Sequence, residues 1–190
     1  MELKFLGIDL AGTEKNPTGI CLLIVKDNEK FIKTKILYTD DEIINEFISF
    51  DPIITAIDAP LSKGKFGNRK CDIELKEYGA LPLTLKGMEK LVDRGIKISK
   101  ILNEINKNLN RNSKIIEVYA TASGKILGFY DKDRFKEQKK LMKIFKGIDE
   151  RILKKDEIDA IFCAITAYLH YLNKTIEIGD EEGIVIIPKV

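Results

Sequence analysis

The sequence predicts an α/β protein: a mixed five-stranded sheet, its first three strands antiparallel, with helices on both faces. Three observations lead there. Runs at 4–9, 18–26 and 30–38 follow one another across short turns, which is the pattern of an antiparallel meander. Two further apolar runs, at 53–58 and 114–120, alternate with stretches of helical period, as in parallel crossover units. The chain has 190 residues, 44% hydrophobic and 33% charged, which suits a soluble globular protein with a sizeable core. One domain over residues 1–190 is expected, with an excursion at 61–85.

Each element has its own reason. Phe5-Leu6-Gly7-Ile8 is an unbroken apolar run, the mark of a strand buried on both faces, and Asp9 closes it. Gly12, Pro17 and Gly19 mark a tight turn before the second strand. Asp27-Asn28 is turn chemistry between the second and third strands. Asp40 can cap a helix whose Ile43, Ile44, Phe47 and Ile48 recur at the helical period, and Pro52 ends it. The fourth strand, 53–58, stops at Ala59-Pro60. The excursion holds Gly64, Gly67, Gly79 and Pro82 with charges between them, and one short helix near 71–78. Long irregular segments in compact domains are often binding or lid regions. Residues 86–108 read as a long amphipathic helix that buries Met88, Leu91, Ile98, Ile101, Leu102 and Ile105. Gly124 and Gly128 break up 121–147, leaving a helix at 134–145. Asp156 starts a last helix that runs to about residue 172. Strands at 176–178 and 184–187 then form an Ile-rich hairpin, which packs either on its own sheet or on a second subunit as a homodimer.

Composition narrows the function. A formal net charge of +2 argues neither for nor against nucleic acid, although a local basic face is compatible with it. No run reaches membrane-spanning length, and the first residues lack the pattern of a signal peptide, so the cytoplasm is the expected location. Cys21, Cys71 and Cys163 form no C-x-x-C pair and fit free thiols in a reducing compartment. His170 is the only histidine and lies far down the last helix, where a structural role is expected. Abundant Ile, Lys and Glu with a single Gln138 lean towards a thermophilic source.

The acids stand out. Asp9 and Asp58 each close an apolar strand, Glu117 sits inside the fifth strand, and Asp156 and Asp159 open the last helix at i and i+3. The bland readings are turn chemistry for Asp9 and Asp58, an edge-strand ion pair for Glu117, and an N-cap for Asp156. Asp159 resists such a reading, because Ala160-Ile161-Phe162-Cys163 follows it directly. Carboxylates brought together repel one another and bind protons more tightly. A bound Mg2+ or Mn2+ removes that penalty, and paired ions of this kind can activate water and stabilise a leaving phosphate oxygen without any histidine. Metal ligands are therefore expected at Asp9, Asp58 and Asp159, with Asp156 or Glu117 completing the set. Thr13, in the small-residue turn after Asp9, can donate to a phosphate. Of the basic residues Lys63, Lys65, Arg69 and Lys70, Arg69 is the expected phosphate clamp, with Lys70 beside it.

The order of these strands and acids resembles the ribonuclease H-like fold, where the first strand, the fourth strand and the last helix carry acids. Asp156-x-x-Asp159-Ala160 resembles the helix motif of Holliday-junction resolvases in that superfamily. A closer resemblance is to an uncharacterised family of predicted ribonuclease H-like nucleases. It is carried by Gly7-Ile8-Asp9-Leu10-Ala11-Gly12, Ile57-Asp58-Ala59-Pro60-Leu61, Arg69-x-Cys71-Asp72, Ile116-Glu117-Val118-Tyr119, Asp156 to Ala160, and Glu182 to Pro188. Members of that family often have Pro after the Tyr, where this chain has Ala120. The resemblance implies a metal-dependent nuclease acting on DNA or RNA. The alternatives are an ATP-binding phosphotransferase of the sugar-kinase and actin type, suggested by Asp9-x-Ala11-Gly12-Thr13, and a non-catalytic nucleic-acid-binding module.

Overall fold

In the computed structural model, which describes residues 2–65 and 67–189, β1 (Glu2–Asp9) is the central strand of a five-stranded sheet. β2 (Thr18–Lys26) and β3 (Glu29–Leu37) extend it on one side as antiparallel neighbours. β4 (Ile54–Asp58) and β5 (Lys114–Glu117) extend it on the other as parallel neighbours. The order is β3-β2-β1-β4-β5, and the expected mixed sheet is present. The β2–β3 turn is tight because Asp27 and Asn28 both take positive φ, at 50° and 67°, which suits a two-residue hairpin.

Helices cover both faces. α1 (Asp40–Phe50) and α3 (Met88–Asn108) supply Ile43, Phe47, Ile98 and Leu102 to one core, against Leu6, Ile8, Ile20 and Ile57 of the sheet. α6 (Lys155–Tyr171) dominates the other, where Phe5, Cys21, Leu23, Ile54 and Ala56 meet its apolar side. The alternation in β1 sorts its side chains: Phe5, Gly7 and Asp9 face α6, while Leu6 and Ile8 face α1 and α3.

Several local expectations are corrected. Thr39, not Asp40, caps α1, and Glu42 closes the capping box by accepting from the Thr39 backbone N–H. Asp40 is instead buried in ion pairs with Arg94 and Lys97 of α3. β5 ends at Glu117, three residues earlier than expected: the Val118 N–H still donates to the Ile57 carbonyl, but Val118 bridges Ile186 and the next helix begins at Ala120. Gly124 does not break the chain there. It sits inside α4 (Ala120–Ile126), where a Cβ would lie 2.6 Å from the Phe162 ring. α5 (Arg134–Met142) follows, capped by Asp133. α6 likewise begins with Lys154 at its N-cap, so Asp156 is free of the capping role.

The C-terminal hairpin, β6 (Thr175–Asp180) and β7 (Gly183–Pro188), packs within its own chain. Val185 and Ile187 form a small core with Cys71, Leu75 and Ala122, while Ile186 joins the main core under α6. The Cys71 and Leu75 side of that core comes from α2 (Lys70–Glu74) and the 3-10 turn at Leu75–Tyr78. His170 is structural, hydrogen-bonded to the Thr175 hydroxyl at 2.9 Å. No helix of the described residues is long and apolar enough to cross a membrane.

Two strand glycines set the distance between α6 and the sheet. A Cβ on Gly7 would lie 2.1 Å from the Ala160 carbonyl oxygen, and one on Gly19 would lie 1.9 Å from the Asp156 carbonyl oxygen. Helix backbone therefore rests directly on strand backbone, which brings the first turns of α6 down to the ends of β1 and β2. Gly7→Ala should destabilise the protein by about 3 kcal/mol, the upper end of overpacking costs, since backbone rather than a flexible side chain would have to move. Chemical denaturation checks this, and an unchanged midpoint would show that the contact yields easily.

Candidate active site

Strand pairing makes Asp9 and Asp58 direct neighbours across the parallel β1–β4 ladder. Both end their strands on the face that carries α6. On the other side of Asp9 its ladder partner is Gly19, which has no side chain to fill the space. The start of α6 occupies that space and brings in Asp156 and Asp159. Four carboxylates from three elements thus meet at one end of the sheet and line a cleft of about 660 Å³. Met88, Tyr119, Lys125 and Tyr130 also line the cleft, as do Arg69 and Glu117.

The charges are poorly compensated. Burial pushes the Asp9 carboxyl well above its ordinary range, and repulsion from Asp58, Asp159 and Asp156 adds to this. Asp58 is pushed up to about 7, by burial first and Asp159 second, against the pull of an Ala120 N–H that donates to it at 3.2 Å. Burial also raises Asp159, while Lys155 opposes the shift from 3.6 Å away. Lys155 is raised in turn, chiefly by Asp159. Among the described residues no protein group donates a hydrogen bond to the Asp9 carboxylate. The Ala120 contact depends on this chain's residue at that position, because a Pro there has no N–H to give.

Glu157, by contrast, is fully compensated. It is wholly buried, accepts two bonds from Arg151, and also accepts from the Thr34 hydroxyl at 2.7 Å and the Lys154 N–H at 3.0 Å. Despite burial, these partners lower its pKa to about 2. It ties the start of α6 to β3 and so fixes where Asp156 and Asp159 stand. Its sequence signal was available: an acid three residues after the N-cap. Arg94 is the matching clamp on the opposite face. It binds Asp40 at 2.8 Å, the Ala11 carbonyl at 2.7 Å and the Tyr38 carbonyl at 2.7 Å, and holds the turn that follows Asp9. An Arg between Leu91 and Ile98 falls on the buried stripe of its helix, which was its signal.

Two of the expected site residues line the cleft but are already engaged by other groups. Glu117 pairs with Ile57, not Asp58, in the β4–β5 ladder; it lines the same cleft as the acids and its charge adds to the upward shift of Asp58, but its carboxylate is taken by Arg69 and the Leu61 N–H. Arg69 is 1% exposed and already consumed. It grips Glu117 at 2.6 and 2.8 Å and Asp72 at 2.8 and 3.1 Å, and bonds the Ser62 hydroxyl at 3.0 Å. Burial works against its charge, but the Glu117 and Asp72 carboxylates more than offset this and raise its pKa. These three residues fasten the excursion to the end of β5. Lys70 is exposed and pairs weakly with Glu74 at 3.8 Å. Thr13 lines a separate depression with Glu14, Asp40 and Lys97.

A divalent cation suits the acids in donor type, since hard carboxylate oxygens short of positive charge are its usual ligands. Among the described residues no three His, Cys, Asp or Glu side chains are already arranged to grip one ion together. The fit is thus one of donor chemistry and uncompensated charge.

No family model and no curated protein matches the chain. Among solved structures it is similar to the Thermus thermophilus RuvC structure, with a TM-score of 0.55 and 10% identity, over 91% of this chain and 97% of that one. At that identity the likeness is one of fold. The fold is ribonuclease H-like, as the order of strands and acids implied.

Removing one partner of a buried ion pair leaves the other uncompensated. Arg69→Ala or Glu117→Ala should therefore each cost about 3–5 kcal/mol of stability, read as a fall in denaturation midpoint. The double variant should cost less than the sum of the two, and full additivity would mean that the pair is not coupled. Asp58 makes an opposite kind of prediction. Its folded pKa is near 7 and its unfolded value near 3.8, so the folded state binds the proton more tightly. The associated stability is present below about pH 4 and is lost as pH rises towards 7. In protein stripped of divalent ions, Asp58→Asn should flatten this decline and raise the melting temperature at pH 7.5, and a parallel pH profile for the two proteins would refute it.

Proposed function

We propose that this protein is a divalent-metal-dependent nuclease that hydrolyses phosphodiester bonds in nucleic acid, with Mg2+ or Mn2+ held by Asp9, Asp58 and Asp159. The observation that carries this reading is the meeting of these undercompensated carboxylates at the floor of an open cleft. Three separate elements are positioned to create that repulsion, and a stabilising ion is the economical reason to keep it. The ribonuclease H-like fold supports the reading, as does the resemblance of Asp156-x-x-Asp159-Ala160 to the junction-resolvase motif. The motif likeness to the uncharacterised predicted-nuclease family belongs to the same proposal.

The metal, when bound, supplies charge neutralisation at the phosphate and a more acidic water. The chain's own residues do the remaining work. Asp9 and Asp58 present their carboxylates side by side from rigid strand ends, and the Ala120 N–H fixes the orientation of Asp58. Asp159 approaches from α6, whose position Gly7, Gly19 and Glu157 set. Asp156 is half-buried beside it and is placed to orient a water or hold its proton. Lys155 offers a positive contact to a substrate phosphate. Arg69 and Glu117 support the wall of the cleft rather than the reaction.

The phosphotransferase alternative requires the Gly12-Thr13 turn to meet the acids. Thr13 instead lines a separate depression that neither Asp9 nor Asp58 reaches.

Incubation with Mn2+ and single-stranded, duplex and branched substrates tests the proposal. Wild-type protein should cleave at least one of them. Asp9→Asn should lose at least about 100-fold in rate, since even outer partners of metal ligands cost 10–100-fold. Mn2+ should also raise the melting temperature of the wild type and not that of Asp9→Asn. Absence of cleavage by the wild type, or equal cleavage by the variant, would overturn the reading.

A further inference from the structure

The chain is close to neutral as a whole, yet one segment is strongly basic. Residues 125–146 contain eight Lys or Arg and only three Asp or Glu, more than the whole net excess of +2, so the remainder of the chain is net acidic. This segment is the end of α4, all of α5 and the turn beyond it. α5 turns Glu137, Gln138 and Leu141 inward and leaves Arg134, Phe135, Lys136, Lys139, Met142 and Lys143 exposed. Lys136, Lys139, Lys140 and Lys143 follow the i, i+3, i+4, i+7 spacing of one helix stripe. Lys140 is tied to Asp131 at 3.3 Å and Lys146 is paired with Glu29. Among the described residues, Lys132, Arg134, Lys136, Lys139 and Lys143 make no ion pair.

The basic segment reaches the acid cleft at its start, just before α5. Lys125 and Tyr130 line that cleft, with the Lys125 ammonium 5.4 Å from the centre of the Tyr130 ring. Tyr130 is 41% exposed and Phe135, at the head of α5, is 45% exposed, with Lys139 4.2 Å from its ring centre. α5 is tied to the Tyr130 end of the cleft: Lys140 donates to the Tyr130 carbonyl at 3.3 Å, and Glu137 accepts from the Asp131 N–H at 3.3 Å. Cations alternating with exposed aromatic rings are the surface that tracks a nucleic-acid strand, phosphates on the cations and bases on the rings. A lipid surface calls for a broad apolar face sunk into the bilayer, whereas α5 exposes only Phe135 and Met142 among its cations and buries Leu141 in the core.

We infer that the exposed face of α5, with Tyr130 and Lys125 at its inner end, is the track along which a nucleic-acid strand is bound and led to the acid cleft. This rests on the nuclease reading for what happens in the cleft, but not for the binding itself. The track contributes affinity and direction and takes no part in the reaction.

The test compares Lys136→Gln/Lys139→Gln/Lys143→Gln with a control of equal charge change, Lys26→Gln/Lys100→Gln/Lys107→Gln, whose residues are exposed elsewhere. Binding of a fluorescent single-stranded oligonucleotide is titrated across a salt series with calcium in place of a catalytic metal. Single strands release about 0.7 counterion per phosphate contact, so the track variant should lower the slope of log affinity against log salt by about 2. It should also lose at least about tenfold in affinity at low salt, while the control keeps the wild-type slope. Turnover of a small phosphodiester such as bis(p-nitrophenyl) phosphate should be unchanged in both. Equal slopes for the track variant and the control would overturn the inference, and so would loss of binding to anionic vesicles with oligonucleotide binding intact. If neither nucleic acid nor the small phosphodiester is hydrolysed but the slope falls as stated, the nuclease reading fails and the strand track stands.

Discussion

The structure depends on the close approach of one helix to two strands. α6 lies on β1 and β2 with backbone against backbone, because Gly7 and Gly19 place nothing between them. Ala160 and Ala164 keep the helix side of the contact equally small. Larger residues at these positions would still give a buried sheet and an amphipathic helix, with an interaxial gap set by side chains. They would not put Asp156 and Asp159 beside Asp9. The geometry of the site is thus a consequence of omission, and van der Waals contact holds it more firmly than any flexible polar link could.

The buried acids fall into two populations that share a composition and differ in company. Glu157, Glu117, Asp72 and Asp40 each face an arginine and serve as fasteners: helix to strand, excursion to sheet, turn to helix. Asp9 and Asp58 face other acids, with one backbone N–H and a lysine to temper them. Glu157 and Asp40, whose carboxyls are held below their ordinary range, stabilise the fold at neutral pH, and the clustered pair works against it. A protein that supports such a pair holds it in place with interactions elsewhere, and the arginine-bound acids surround the site on several sides. Compensated and uncompensated charge fall on different carboxylates a few residues apart, as Glu157 and Asp159 show most plainly.

Much of this was legible in the sequence. Asp9 and Asp58 could be placed because apolar runs end at them and the period of two fixes their face. Asp159 was legible because apolar helix follows it at once. Glu117 was legible as a buried acid, but its direction was not. Its face depends on which residue of β4 it pairs with, and a single step of register turns it over. Arg69 looked like a free phosphate ligand because its principal partner lies 48 residues away in sequence. Gly124 reads as a breaker until the Phe162 ring above it is known, since the reason for that glycine belongs to another helix. Arg94 and Glu157 carried local signals, one in helical period and one in capping position, that point to anchoring rather than chemistry.

The separation of charge along the molecule has an electrical consequence that net charge conceals. A nearly neutral body with an acidic pocket and a basic flank is a strong dipole. An approaching polyanion feels little net attraction at long range, but a torque turns the basic flank towards it before contact. Orientation is then selected during the encounter rather than by trial after it. That torque fades within about a Debye length, roughly 8 Å in physiological salt, so the molecule is sorted by direction only in the last few ångströms of its approach.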